Sequence, residues 1–134
     1  MQLIQDAKKA YEQRLIAAFP AIKIAFENVK FDPPSSLYLA VNSLVDNPTD
    51  VVLGDKYFRE NIILNVFVVG EANTGTGAIL TKAEEVRELF KKGTFILQGT
   101  SRIYVLTTPH IMGTTETSSR PVCPVQIRIT VEAG

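Results

Sequence analysis

The stretch "GEANTGTGAILTKAEEV", Gly70 to Val86, is where residue types and spacing first suggest chemistry. It follows an apolar run and leads into a helical pattern, and phosphates often sit at such glycine-rich corners. Two templates can be laid against it. The P-loop needs G-x-x-x-x-G-K-[ST], with the lysine on the β/γ-phosphates and the hydroxyl on magnesium. Gly70 and Gly75 have that spacing, but Thr76 and Gly77 follow, so the cation is missing. The dinucleotide fingerprint needs G-x-G-x-x-G/A. Gly75 and Gly77 fit its first two positions, but Leu80 fills the third, where close helix–strand packing wants a tiny residue. Both templates fail at a residue that matters, so the glycines are expected to shape a strand-to-helix corner and to hold no cofactor.

Other reactive types are sparse. Cys123 is the only cysteine, which excludes an internal disulfide and argues against structural zinc. Its setting, Val122-Cys123-Pro124-Val125, is that of a small buried hydrophobe. His110 is the only histidine, and nothing in the sequence places it beside Cys123. Glu84, Glu85 and Glu88 could be imagined as paired carboxylates, but with Lys92 four residues beyond Glu88 they read as a solvated helix face. No acid, base and nucleophile converge, so no catalytic or metal-binding residue is expected.

With 14 basic and 14 acidic residues the formal charge is zero, which gives no electrostatic case for nucleic acid or an anionic membrane. Neutrality also does little to oppose self-association. The start, "MQLIQD", lacks the apolar run of a signal peptide, and no uncharged apolar stretch is long enough to span a bilayer. A soluble chain made in a cytoplasm is expected. Its 134 residues suit one domain, 1–134.

The elements that must position these residues follow from periodicity. Residues 3–19 have a helical period with Ile4, Tyr11, Leu15 and Ala18 on one face, and Pro20 stops it. A short strand follows at 22–26, then the breaker cluster "FDPPSS" at 31–36. Strands are expected at 37–45 and 60–69; the second is apolar on both faces and so belongs mid-sheet. Between them, residues 46–56 are polar and rich in turn-formers. Ile79, Ala83, Val86 and Phe90 mark a second helix, starting near Ala78, with Thr81 and Glu84 spaced as a capping box. "TFILQ" (94–98) and "RIYVLTT" (102–108) form a hairpin, 109–121 a polar loop, and the alternating residues from Val125 to Glu132 a last strand with one wet face. The fold class is therefore α+β, a mainly antiparallel sheet of about five to six strands packed against two helices.

The order of "YEQRL" (11–15), "ENVKFDPP" (27–34), "LYLAV" (37–41) and "VVLGDKYFRENIILNVFVVGEANTGTGA" (51–78) resembles the tail terminator-like proteins of tailed bacteriophages. "EEVRELFKKGT" (84–94), "TTPHIMG" (107–113) and the final strand extend the likeness over nearly the whole chain. It rests on Asn28, Phe31, Pro33, Tyr38, Gly54, the Gly70/Gly75/Gly77 corner, Phe90 and Gly93, which are mostly structural punctuation. The Pro121–Pro124 segment departs from the pattern and leaves the register of the last strand open. The resemblance implies a tail-tube-like fold, no enzyme activity and a homohexameric ring on the head-proximal end of the tail tube. There the ring would stop tube polymerisation and present a surface to the neck or head-completion protein. DNA would pass through the lumen without specific binding, and the protein would reside in the virion after assembly in the host cytoplasm.

A ring needs two different patches on each subunit. The strands ending at Val69 and Val131 are candidates to donate edges. The 46–60 segment offers an apolar triplet, Val51, Val52 and Leu53, beside a charged stretch with Asp55, Lys56, Arg59 and Glu60. Val51, Val52, Leu53, Asp55, Lys56 and Arg59 are therefore the candidate interface, as an arm docking on a neighbour or on the tube. The alternative is that the triplet caps its own core. Two competing functions remain: a tail-completion or neck protein of similar fold, and a small ligand-binding domain using the Gly70–Gly77 corner.

Overall fold

The computed structural model describes residues 2–50, 58–117 and 119–133. In chain order the elements are α1 (Leu3–Ala18), β1 (Ile24–Ala25), β2 (Tyr38–Asp50), β3 (Phe58–Val69), α2 (Gly77–Leu89), β4 (Phe95–Gln98), β5 (Ser101–Val105), β6 (His110–Ile111), β7 (Thr115–Thr117) and β8 (Arg120–Ala133). Among the described residues they form one sheet in the order β1-β2-β3-β8-β5-β4, with β6 and β7 also paired to β8. All pairs are antiparallel except β1 with β2. The α+β class holds, with a sheet more mixed and more finely divided than its periodicity suggested.

Alternation along each strand sends one set of side chains under the helices and the other to the open face. Leu39 and Val41 of β2, Ile62, Leu64, Val66 and Val68 of β3, and Cys123, Val125, Ile127, Ile129 and Val131 of β8 are all buried on the covered face. α2 lays Ile79, Ala83, Val86 and Phe90 on them, as its spacing required. α1 buries Leu3, Ala7, Ala10, Tyr11 and Leu15. That stripe is rotated from the expected one, and Ile4 and Ala18 are exposed. Small Ala7 and Ala10 let the helix sit close to the sheet, a role that apolar counting misses.

Several sequence expectations are corrected. β2 continues to Asp50 and β3 begins at Phe58, so residues 46–50 of the expected turn-rich segment are strand. The β2–β3 register shifts between Asp46 and Thr49, where Pro48 has no N–H to give a ladder. The 109–121 loop contains β6 and β7, both on β8. No capping box forms, because Thr81 Oγ1 donates to Gly77 O within the helix at 3.0 Å. The strands ending at Val69 and Val131 offer no edges: β3 lies between β2 and β8, and β8 between β3 and β5. Prolines 121 and 124 sit within β8, and their carbonyls still accept, from Gly70 N at 2.8 Å and Met112 N at 2.9 Å.

Candidate functional site: a locked corner and an open edge

The glycine corner is a packing device. Gly70 must be glycine, because a Cβ there would lie 2.6 Å from Ile79 Cγ2 and 3.1 Å from Pro121 Cγ. Asn73 and Gly75 take left-handed angles, φ 62° and 78°, that turn the chain into α2. The corner is held from outside by Arg120, whose sequence context reads as a loop. Its Nε donates to Gly70 O at 2.7 Å, and its terminal nitrogens donate to the carbonyls of Pro34, Ser35 and Ser36. The guanidinium lies 5.0 Å from the Tyr38 ring centroid, and Tyr38 packs on Phe31 at 5.3 Å. Tyr38 and Gly70, which the sequence offers only as separate punctuation, thus meet at one cation, with Phe31 packed behind Tyr38. Nothing in local pattern marks Arg120, since its partners are backbone carbonyls in two segments, 50 residues away at Gly70 and 84–86 away at residues 34–36.

At the other end of the sheet, Glu132 departs from the wet face expected of it. Its side chain is 4% exposed, accepting from Arg59 Nε at 2.9 Å and Tyr104 OH at 2.9 Å, with Arg102 Nη2 3.3 Å away. Register explains the burial: Glu132 lies opposite Arg102, and Arg59 is one residue beyond the Glu60↔Val131 pair. A carboxylate removed from water is stable only with such charged donors around it. Asn61 adds a staple, giving its Nδ2 to Asn47 O and Thr49 Oγ1, both at 2.9 Å, and accepting from Thr130 Oγ1. The outer stretch of the β2–β3 hairpin is therefore fixed to the rest of the sheet by Arg59 and Asn61. Of the candidate interface residues, Arg59 is the one described, and it belongs to this ion cluster. Val51, Val52, Leu53, Asp55 and Lys56 lie outside the described residues, as does Gly54.

From Leu44 to Asp50 every residue of β2 is exposed, and the consecutive Leu44 and Val45 are 63% and 54% exposed. Neighbouring residues of a strand point to opposite faces, so neither face of β2 is covered here. At the far edge of the sheet Phe95 and Leu97 of β4 are 49% and 66% exposed.

The other reactive candidates do not assemble. Cys123 is buried, and that burial pushes its thiol above its ordinary value, away from the reactive thiolate. His110 pairs in register with Gln126 and is exposed, on the sheet face opposite Cys123. Glu84, Glu85 and Glu88 are exposed, with Lys82 pairing Glu85 and Lys91, not Lys92, pairing Glu88. Among the described residues no three His, Cys, Asp or Glu side chains converge, and no helix is long and apolar enough to cross a membrane.

Among the described residues the sheet is covered by helices on one face, the outer stretch of β2 is exposed, and no reactive side chains converge. The same fold is seen in a solved structure that is 22% identical, covering 98% of this chain and 96% of that one with a TM-score of 0.77. No curated protein matches the sequence. The family of phage tail terminator proteins matches over residues 4–129, and the chain belongs to that family. It is thus a tail structural protein and a component of the virion.

Proposed function

We propose that this protein closes into a homohexameric ring on the head-proximal end of the tail tube, stops tube polymerisation there, and offers its outer surface to the neck or head-completion protein. The observation that carries the proposal is the family match over residues 4–129, joined to an outer stretch of β2 whose Leu44 and Val45 are exposed without a use inside the monomer. In this reading Val51, Val52, Leu53, Asp55, Lys56 and Arg59 make the contact with a neighbour or with the tube. DNA passes through the lumen without specific binding, which the zero formal charge favours. The chain needs no cofactor and carries out no catalysis.

The test is a double substitution, Val52→Asp with Leu53→Asp, in the phage. Burial of each such side chain is worth about 1.5–3 kcal/mol, repeated around the ring. The variant is expected to fold, to fail to cap tubes, and to give tails of abnormal length that do not join heads. A folded variant that gives tails of normal length overturns the arm's role. A variant that unfolds shows instead that the triplet belongs to its own core.

A further inference from the structure

The strand order leaves two open edges among the described residues. β1 covers the outer side of β2 only at Leu39 and Ala40, and no described strand pairs there from Ser43 to Asp50. At the opposite end β4 pairs with β5 alone, which leaves the outer side of Phe95–Gln98 bare. The two edges complement each other in three ways.

The first is apolar surface on a shared face. Register places Leu44 with Ile63 on the open face, and Phe95 and Leu97 with Tyr104 and Arg102 on that same face. All three side chains are exposed. The second is charge. Asp46 and Asp50 are the charges along residues 43–50, and residues 94–103, which a parallel alignment on Ser43 or Val45 sets beside them, carry no acid.

The third is direction and hydrogen-bond parity. Four antiparallel steps separate β2 from β4, so the two strands run the same way. Leu39 N donates outward to Lys23 O, so alternate residues Ser43 and Val45 aim their backbone groups at the open edge. Thr94 O accepts from Val105 N, inside the hairpin, so Phe95 and Leu97 aim theirs outward. In parallel pairing a residue bonds to those on either side of its aligned partner. Ser43 or Val45 aligned with Ile96 therefore bonds Phe95 and Leu97 while keeping the helix-covered faces of the two sheets together. Antiparallel pairing would turn one sheet over. β1 already adds to this edge of β2 as a parallel strand.

We infer that the outer edge of β2, residues 43–50, receives β4 of a second copy of this chain as a parallel strand, head to tail. The contact is heterologous, so each copy keeps one free edge until the chain of subunits closes on itself. The inference rests on the self-assembly part of the proposed function and adds to it the edges, their direction and their register.

The test uses Leu44→Cys and Leu97→Cys with a short thiol-to-thiol cross-linker on the concentrated, folded protein; the buried Cys123 stays unreactive. The double variant is expected to give a ladder of covalent multimers. Each single variant alone stays monomeric, and a mixture of the two singles gives a dimer. Dimers from either single variant alone mean that like edges meet, and overturn the inference. So do monomers from both the double variant and the mixture. Leu97→Pro removes an outward N–H and leaves the β4–β5 bonds intact, so it should keep the circular dichroism spectrum and weaken self-association about tenfold. Unchanged association overturns the inference. Rings at tube ends without cross-links would sink the edge pairing alone. Cross-linked ladders without tube-end binding would sink the terminator role alone.

Discussion

The β2–β3 hairpin ends in two different environments. At the Tyr38↔Val69 end, β2 and β3 lie under the helices, and Arg120 clamps the corner to residues 34–36. At the Asp50↔Phe58 end β2 is exposed from Leu44 outward, while β3 is held by Phe58 against the core and by Asn61 and Arg59, the latter on Glu132. The first end has its apolar surface used up inside the monomer. The second leaves Leu44 and Val45 in water. Folding stability should therefore reside at the covered end and assembly at the open one.

The largest expected effect is in the core. Leu64→Ala, at a fully buried position, should cost about 2–5 kcal/mol, read as a fall in the urea midpoint. Leu44→Ala, on the same hairpin, should stay within about 0.5 kcal/mol of wild type. Equal losses at the two positions would break the comparison.

Arg120→Ala comes next. It removes charge-assisted bonds to four carbonyls, and a loss of about 3 kcal/mol is expected, with Arg120→Lys between the two. A lysine variant as stable as wild type would show that charge, not the planar fork, holds the corner. Glu132→Ala should cost a similar amount at the open end. Breaking buried ion pairs costs about 3–5 kcal/mol, and the lower end applies because Arg59 and Arg102 are over a third exposed. Gly70→Ala should cost about 1–3 kcal/mol through the clash with Ile79.

The smallest effect is on pH dependence. Burial, the largest cause, raises the Tyr11 hydroxyl above its ordinary value of 10.0, and burial likewise raises the Cys123 thiol above 9.0. Both groups hold their protons more tightly in the folded chain. Their contribution is complete below the unfolded values and is lost as pH rises through the folded ones. Stability should thus decline above about pH 9, and Cys123→Ala should flatten the first part of that decline. A curve unchanged by the substitution would remove Cys123 from the account.

Much of the covered end was legible in the sequence, because hydrophobic periodicity records burial. The spacing of Ile79, Ala83, Val86 and Phe90 placed α2, and the doubly apolar run at 60–69 placed β3 mid-sheet. The phage tail resemblance was legible too, from the order of segments over the whole length. What was not legible depended on contacts distant in sequence. Glu132 reads as the wet member of an alternating pair until register sets it opposite Arg102. Arg120 reads as a loop residue until the fold brings residues 34–36 and Gly70 around it. The outer stretch of β2 was hidden because Asp46, Asn47 and Pro48 suggest a turn, while cross-strand pairing carries β2 past them through a shift in register.

The central claim is that this chain ends the tail tube. Its most direct test is electron microscopy of gold-labelled protein mixed with preformed tail tubes, followed by addition of fresh tube subunits. The account predicts label at one end of each tube and no growth from that end. Label along the tube wall, or continued growth from the labelled end, would contradict it.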